Sequence, residues 1–335
     1  MVHDWLLVET LGDEPVVVAQ GRHTVNLVPI SGLLRRSPHL MAIQTAIGET
    51  VRARQGLSSI TPKNDRVIRT EVVAMTDGPI HGVHLWIGPP DMEPTERPAP
   101  GALLWDLDHG VATGTPESLL NSGWAPDSEV APYRTFADDL PRRDLNPSEA
   151  TVLGMAITRE PGRAFSSTWN VVDHNGEPVT VGFVIRVVRE AQDDGSHRLL
   201  CRAMNWRSEP DPATAPPDHL AQRILEGLAQ PGVHRALVDL SSWTLLKWLD
   251  EPPAFFDWRT SMAGDRVIHP DDRGELVRMA TAFESGTASV VLRMSAADGW
   301  APVHVTVNRV EIGDGVFAGL ATLRRATGDD LTDPR

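Results

Sequence analysis

The sequence predicts an α+β protein of three tandem domains, each an antiparallel sheet with helices packed on one face. Three observations predict it. One order of elements is written three times along the chain, each copy places a proline at the head of a helical pattern, and each copy ends in strands separated by glycine-bearing hairpin turns. Spacing carries the most weight. Pro147 to Pro178 covers 31 residues and Pro270 to Pro302 covers 32, and each later proline follows a turn glycine, Gly176 or Gly299, by two or three residues. A looser copy runs 41 residues from Pro38 to Pro79, with the excess in "LSSITPKND".

Within a copy the elements follow in a fixed order. Strand-like stretches come first: "DWLLVETLG" and "PVVVAQG", then "ALLWDLDHGVATGT", then "HRALVDLSSWTLLKWLDE". The proline-headed helix follows. Proline suits the first helical position because its missing N–H has no intrahelical partner there, so the residue before it reads as the cap. The caps are therefore Ser37 before Pro38, Asn146 before Pro147 and His269 before Pro270. Asn146 with Glu149 has capping-box spacing, and Asp271 and Asp272 fall in a first turn, where the helix dipole favours negative charge. Leu40, Ile43, Ile47 and Val51 form one apolar stripe, and Leu276, Ala280 and Phe283 with Met279 form another. The strands alternate: Val303, Val305 and Val307 share one face, and His304, Thr306 and Asn308 the other. "TDG", "HNG" and "ADG" supply the hairpin turns.

This organisation divides the chain into an N-terminal domain (1–92), a linker (93–101), a middle domain (102–209), a second linker (210–217), a C-terminal domain with a leading helix (218–326) and a tail (327–335). The connectors are proline- and acid-rich, "GPPDMEPTERPAPG" and "SEPDPATAPPD". After the second, Asp218 caps an amphipathic helix with Leu220, Ile224, Leu225 and Leu228 as its stripe and Pro231-Gly232 as its stop.

The 335 residues are 41% apolar and 23% charged, which is ordinary globular composition, and the formal charge is −14. An acidic surface repels phosphate backbones and anionic lipid, so nucleic acid is not an expected partner. No apolar run is long enough to span a bilayer and the N-terminus does not read as a signal peptide, so the expectation is a cytoplasmic protein without membrane insertion. The single cysteine, Cys201, excludes an internal disulfide and lies in a strand-like stretch as a buried structural thiol.

"VIHPDDRGELVRMATAFESG" followed by an alternating hairpin resembles the second half of a PAS domain. The middle block resembles a diverged PAS domain, with Asn146-Pro147-Ser148-Glu149 in place of His-Pro-Asp-Asp, and the N-terminal block is similar to PAS or the related GAF fold. From "HDWLLVETLG" through "RVIRTE", "RAMNWRSE" and "HVTVNRVE", the whole chain resembles actinobacterial proteins built from three PAS/GAF-type sensor domains without an effector. The resemblance implies signalling or ligand sensing rather than a reaction. It implies no flavin or haem: Cys201 is misplaced for a flavin adduct, and His269 and His304 are misplaced as axial ligands.

His81 and His84 are three apart on a strand, hence on opposite faces, and no cysteine or carboxylate cluster completes a metal set. Asp138-Asp139 and Asp271-Asp272 could be acid/base pairs, but helix starts attract acids in any case. There is no phosphate-binding glycine loop and no nucleophile elbow. Ten tryptophans outnumber seven phenylalanines and one tyrosine, and Trp243, Trp248, Phe255, Phe256 and Trp258 crowd the segment that would wall a cavity in the third domain. Such rings either line a small-molecule site or fill the core. Trp206, beside the second linker, suits a domain interface.

The expected function is a non-enzymatic sensor or adaptor without a cofactor. It binds a metabolite or a protein partner, changes its domain arrangement, and leaves the output to that partner. Pairing with a second copy is left open. The alternative is a ligand-free scaffold, and an enzyme of unrecognised type comes third.

Overall fold

The computed structural model describes residues 4–63, 65–125, 133–140, 146, 148–192, 194–210, 219–259, 267–282 and 286–332. Its strands form three sheets. The first contains β1 (Leu6–Glu9), β2 (Val16–Gln20), β3 (His23–Pro29), β4 (Leu57–Ile60), β5 (Val67–Ala74) and β6 (Ile80–Gly88), in the order β3-β2-β1-β6-β5-β4. The second contains β7 (Gly101–Asp106), β8 (Val111–Gly114), β9 (Tyr133–Thr135), β10 (Ala164–Val172), β11 (Pro178–Ala191) and β12 (His197–Ser208), in the order β10-β11-β12-β7-β8-β9. The third contains β13 (Val233–Val238), β14 (Leu245–Trp248), β15 (Thr287–Ala296), β16 (Gly299–Gly313) and β17 (Val316–Arg325), in the order β14-β13-β17-β16-β15. The predicted repetition is real, because in every sheet the first strand of the block lies between the second strand and the last. The architecture is α+β with antiparallel pairing, as predicted.

The helices occupy the predicted gaps: α1 (Ile30–Leu33) and α2 (Leu40–Ala53) in the first block; α3 (Pro116–Asn121), α4 (Phe136–Asp139) and α5 (Glu149–Thr158) in the second; α6 (His219–Gly227), α7 (Arg273–Ala282) and the terminal α8 (Gly328–Thr332) in the third. The turn triplets join β5 to β6, β10 to β11 and β15 to β16. Gly78 and Gly176 take φ of 80° and 85° there, a region other residues enter at a cost.

The prolines behave differently in each copy. Pro270 heads a 3₁₀ turn, Pro270–Asp272, that runs into α7, and His269 caps it by accepting the Asp271 N–H at Nδ1, 3.2 Å away. In the first copy the cap must be corrected. Helix α2 begins at Leu40 with His39 as its cap residue, and Ser37 and Pro38 stand one turn ahead of it. A tight turn closes first, with the Leu40 N–H donating to the Ser37 carbonyl, so the Ser37 hydroxyl serves the His39 N–H at 3.3 Å instead. In the middle copy Glu149 reaches back as predicted, its Oε1 accepting from the Asn146 N–H and from Asn146 Nδ2, each at 3.1 Å, but the cap is again corrected: α5 begins at Glu149 with Ser148 as its cap residue, and Asn146 stands ahead of the helix. Pro147, Asp218 and Phe283 lie outside the described residues.

The chain divides into two compact units, residues 1–104, 113–132 and 160–216, and residues 105–112, 133–159 and 217–335. In the first, Ile43 and Ile47 of α2 cover Leu6, Val8, Val83 and Leu85 on one face of the first sheet. On its other face Leu7, Val18, Ala19 and Val73 pack against Ala102, Val184, Met204 and Trp206 of the second sheet. Trp206 therefore lies between two sheets, and Cys201 is buried with its thiol pushed up to about 12 by that burial. Covering on both faces also buries β6 along almost its whole length, histidines included.

Those histidines make stability depend on pH. His81 is fully enclosed, its Nδ1 2.8 Å from the Ala203 carbonyl and its Nε2 3.0 Å from Nη1 of Arg202, a pairing that puts the ring hydrogen on Nδ1. His84 packs on Trp5 with ring centroids 4.9 Å apart. Burial lowers His81 from 6.5 to about 4, and burial with the nearby charge of Arg97 lowers His84 to about 3. Both are neutral when folded, and the unfolded chain binds their protons first. Stability is thus complete above pH 6.5 and is lost as pH falls through the window down to these depressed values. The expected slope is up to about 1.4 kcal/mol per pH unit for each histidine. Urea unfolding at a series of pH values checks it, and an unchanged slope in His84→Leu would rule out that residue as a source.

In the second unit Val303, Val305 and Val307 point inward as predicted, and with Leu292, Met294 and Leu323 they build a core under Trp248, Phe256, Trp258 and Met279. Helix α5 is apolar all round, with Val152, Leu153, Gly154, Met155 and Ala156 buried, and it packs on β16 and β17. No described helix is long and apolar enough to cross a membrane.

Candidate functional site

The second unit contains a cavity of about 380 Å³. Its floor is the inward face of the third sheet, where small and branched side chains at Ala236, Val305, Val307 and Ala321 leave space that larger residues would fill. Trp243, Trp248, Phe256 and Trp258 line it, while Leu276 of α7 and the pair Val267 and Ile268 contribute the opposite wall. Phe255 does not line it. Adjacent residues face different ways, and the Phe255 ring packs instead near His234 and under the guanidinium of Arg325, 5.5 and 5.4 Å away.

The polar part of the wall comes from residues the sequence did not single out: His109, Thr135, Ser242, Thr244 and Arg273. Most of these side chains already have partners. His109 Nδ1 lies 2.7 Å from the Asp106 carboxylate, Thr135 donates to Asp138, and Ser242 donates to the Asp239 carboxylate with its oxygen 2.9 Å from the Thr244 hydroxyl. Arg273 is exposed at the head of α7 and forms no ion pair among the described residues. Trp248 is 2% exposed, and its indole N–H has no acceptor among them.

A built turn presents Trp243. The buried Asp239 carboxylate accepts from the Ser241 N–H and both serine hydroxyls and binds the Arg159 guanidinium at 3.0 Å. The Trp243 N–H returns to the Asp239 carbonyl, and Trp243 takes φ of 61°. A bulky residue in the left-handed region is strained by roughly 1–3 kcal/mol, and strain of this kind collects where a side chain must be held in one place. Arg159 closes α5 and also reaches Asp108, 3.1 Å away, so one guanidinium ties the helix end to both loops.

The acidic pairs are taken up structurally. Asp138 receives Arg259 through two bonds of 2.9 and 3.0 Å, and Asp139 receives Arg134 and the Trp105 indole N–H. Asp272 accepts from the Arg293 main chain at 2.7 Å and from its guanidinium at 2.6 Å, and these bonds hold its carboxyl below the usual carboxylate range. The stretch from His269 to Asp272 therefore anchors the start of α7, and the residue it fixes at the cavity is its neighbour Arg273. Groups of three or more metal-ligand side chains are absent among the described residues. His81 and His84 are each enclosed separately, and His304 is half-buried, 3.9 Å from Asp330.

Three family models match the sequence in succession: Rv3651-like, N-terminal, over residues 4–96; Rv3651-like, middle domain, over 99–208; and Rv3651-like, C-terminal domain, over 218–334. A crystal structure of an uncharacterized protein from Mycobacterium tuberculosis is 55% identical, covers 99% of each chain and superposes with a TM-score of 0.90. A sensory box histidine kinase/response regulator from Burkholderia thailandensis matches 38% of this chain and 84% of its own at 14% identity. An RNA-binding light-oxygen-voltage receptor matches 68% of this chain and 95% of its own, also at 14% identity. Both superpose with a TM-score of 0.24, too low to carry an argument. No curated protein matches the sequence.

Proposed function

Because this chain belongs to the Rv3651-like family, with all three of the family's domains in order, we propose that it is a non-enzymatic sensor or adaptor whose second unit binds a small apolar molecule. The cavity carries this reading. At about 380 Å³ it falls in the range of small-molecule sites, and it combines an apolar floor with a few polar groups at fixed places. His109, Gly110 and Thr135 in its wall come from the stretch matched by the middle-domain model, and the rest come from the C-terminal one. An occupant therefore touches both sequence blocks, and binding shifts the population toward the arrangement that grips it. The carboxylates weighed as acid/base pairs are all engaged by arginines or exposed, which supports binding over catalysis. The output then belongs to a partner protein.

The second reading, a ligand-free scaffold, draws on helix α6 and the turn after it, where Leu220, Ile224 and Leu228 stand exposed at four-residue intervals. Native mass spectrometry of the purified protein, followed by thermal shift with a panel of apolar small molecules, separates the two. The expected result is a bound or readily bound molecule that raises the melting temperature, by about 2.7 kcal/mol of stability at a hundredfold excess over Kd. Ala321→Leu, which fills the floor, should abolish the shift while the variant stays folded. If no apolar molecule binds the wild type, the scaffold reading replaces this one.

A further inference from the structure

We propose that the occupant is an apolar carboxylic acid, its hydrocarbon held over Val305, Val307 and Ala321 and its carboxylate paired with Arg273. The inference rests on the reading of this cavity as a ligand site and adds the chemical class. The Arg273 guanidinium and the buried indole N–H of Trp248, both donors in the wall, have no partner among the described residues. His109, Thr135, Ser242 and Thr244 of the wall are already bonded to neighbours. A wall with surplus donors selects a ligand that brings acceptors. A surplus donor that is also a cation selects one that brings negative charge. An unbonded N–H facing an apolar interior is costly, so Trp248 further favours an oxygen-bearing occupant over a pure hydrocarbon. The floor contributes only apolar surface, so one charge at one end of a hydrocarbon fits it, whereas a sugar or nucleotide would leave polar groups unpaired against valine and alanine. The 3₁₀ turn that leads into α7 fixes where Arg273 starts from, because Asp272, the residue before it, is clamped to Arg293 through main-chain and side-chain bonds.

The test uses the full chain and three probes that share one hydrocarbon: decanoate, decanol and decylamine, titrated by isothermal calorimetry and tryptophan fluorescence. Decanoate is expected to bind about tenfold more tightly than decanol, the worth of one charge-assisted pair, and decylamine more weakly than either. Arg273→Leu should bring decanoate down to the level of decanol without changing decanol binding, and Arg273→Lys should keep the preference for the acid. If decanol or decylamine binds the wild type as tightly as decanoate, or if Arg273→Leu leaves the preference intact, the acid assignment falls while the cavity remains a ligand site. If none of the three binds, the reading of the cavity falls with it.

Discussion

Lys247→Met is expected to lower stability by about 3–5 kcal/mol, the cost of leaving a buried charge uncompensated. Lys247 is 2% exposed and Glu149 is 5% exposed, and the lysine ammonium lies in direct contact with the glutamate Oε2. Methionine keeps most of the length and apolar stem of lysine, so the loss reports the charge rather than the packing. The pair holds α5 to β14. Glu149 is the first residue of the helix, its other oxygen is committed to Asn146, and Lys247 sits between buried Leu246 and Trp248. Urea unfolding at constant m-value measures the effect. Glu149→Gln combined with Lys247→Met should recover most of the loss, because glutamine still accepts from Asn146 and no charge remains buried. A single variant within about 1 kcal/mol of wild type would show that the pair is not the buried clamp described here.

Gly101→Ala should be nearly as damaging, by about 1–3 kcal/mol or more, although it adds one methyl group. A Cβ at Gly101 would fall inside the van der Waals radii of the Ser118 nitrogen and Cα and 2.7 Å from the Glu117 carbonyl carbon. These are backbone atoms of α3, which cannot rotate aside as a side chain could. Nor can the helix retreat freely. Asn121 at its end donates to the carbonyls of Ala99 and Asn205, 2.8 and 3.1 Å away, and the Thr115 that caps it donates its N–H to the carbonyl of Ala102 at 2.9 Å. Gly48→Ala in α2 is the control. Nothing lies within 4 Å of its Cβ position, and alanine there should stabilise by roughly 0.5–1 kcal/mol. If both alanine variants melt alike, the close approach at Gly101 does not matter.

How much of this could be read from the sequence depends on how local each signal is. The threefold order of elements was legible because prolines, turn glycines and alternating valines act within a few residues of themselves, as at Pro270, Gly299 and Val303 to Val307. The start of α2 was misread by one turn because Ser37-Pro38 fits either a cap or a preceding tight turn, and only the Leu40 to Ser37 bond decides. For α5 the helix was legible but its docking was not. A segment apolar on every side has no face to declare, so nothing local says that it packs on β16 and β17. Four rings of the cavity were legible as an aromatic cluster. His109 and Thr135 were not, since they arrive from more than a hundred residues upstream of the strands they meet. Arg273 carried a signal that was read only as architecture: "HPDDR" places a cation immediately after a rigid cap.

The pairing of each block's opening strand with its closing one sets a schedule for biosynthesis. β1 must wait for β6, β7 for β12 and β13 for β17, so the central ladder of a sheet cannot zip until its block has left the ribosome. A nascent chain arrested just short of β17 would hold β13 with one edge unsatisfied, a species open to capture by a chaperone or by the matching edge of another nascent chain.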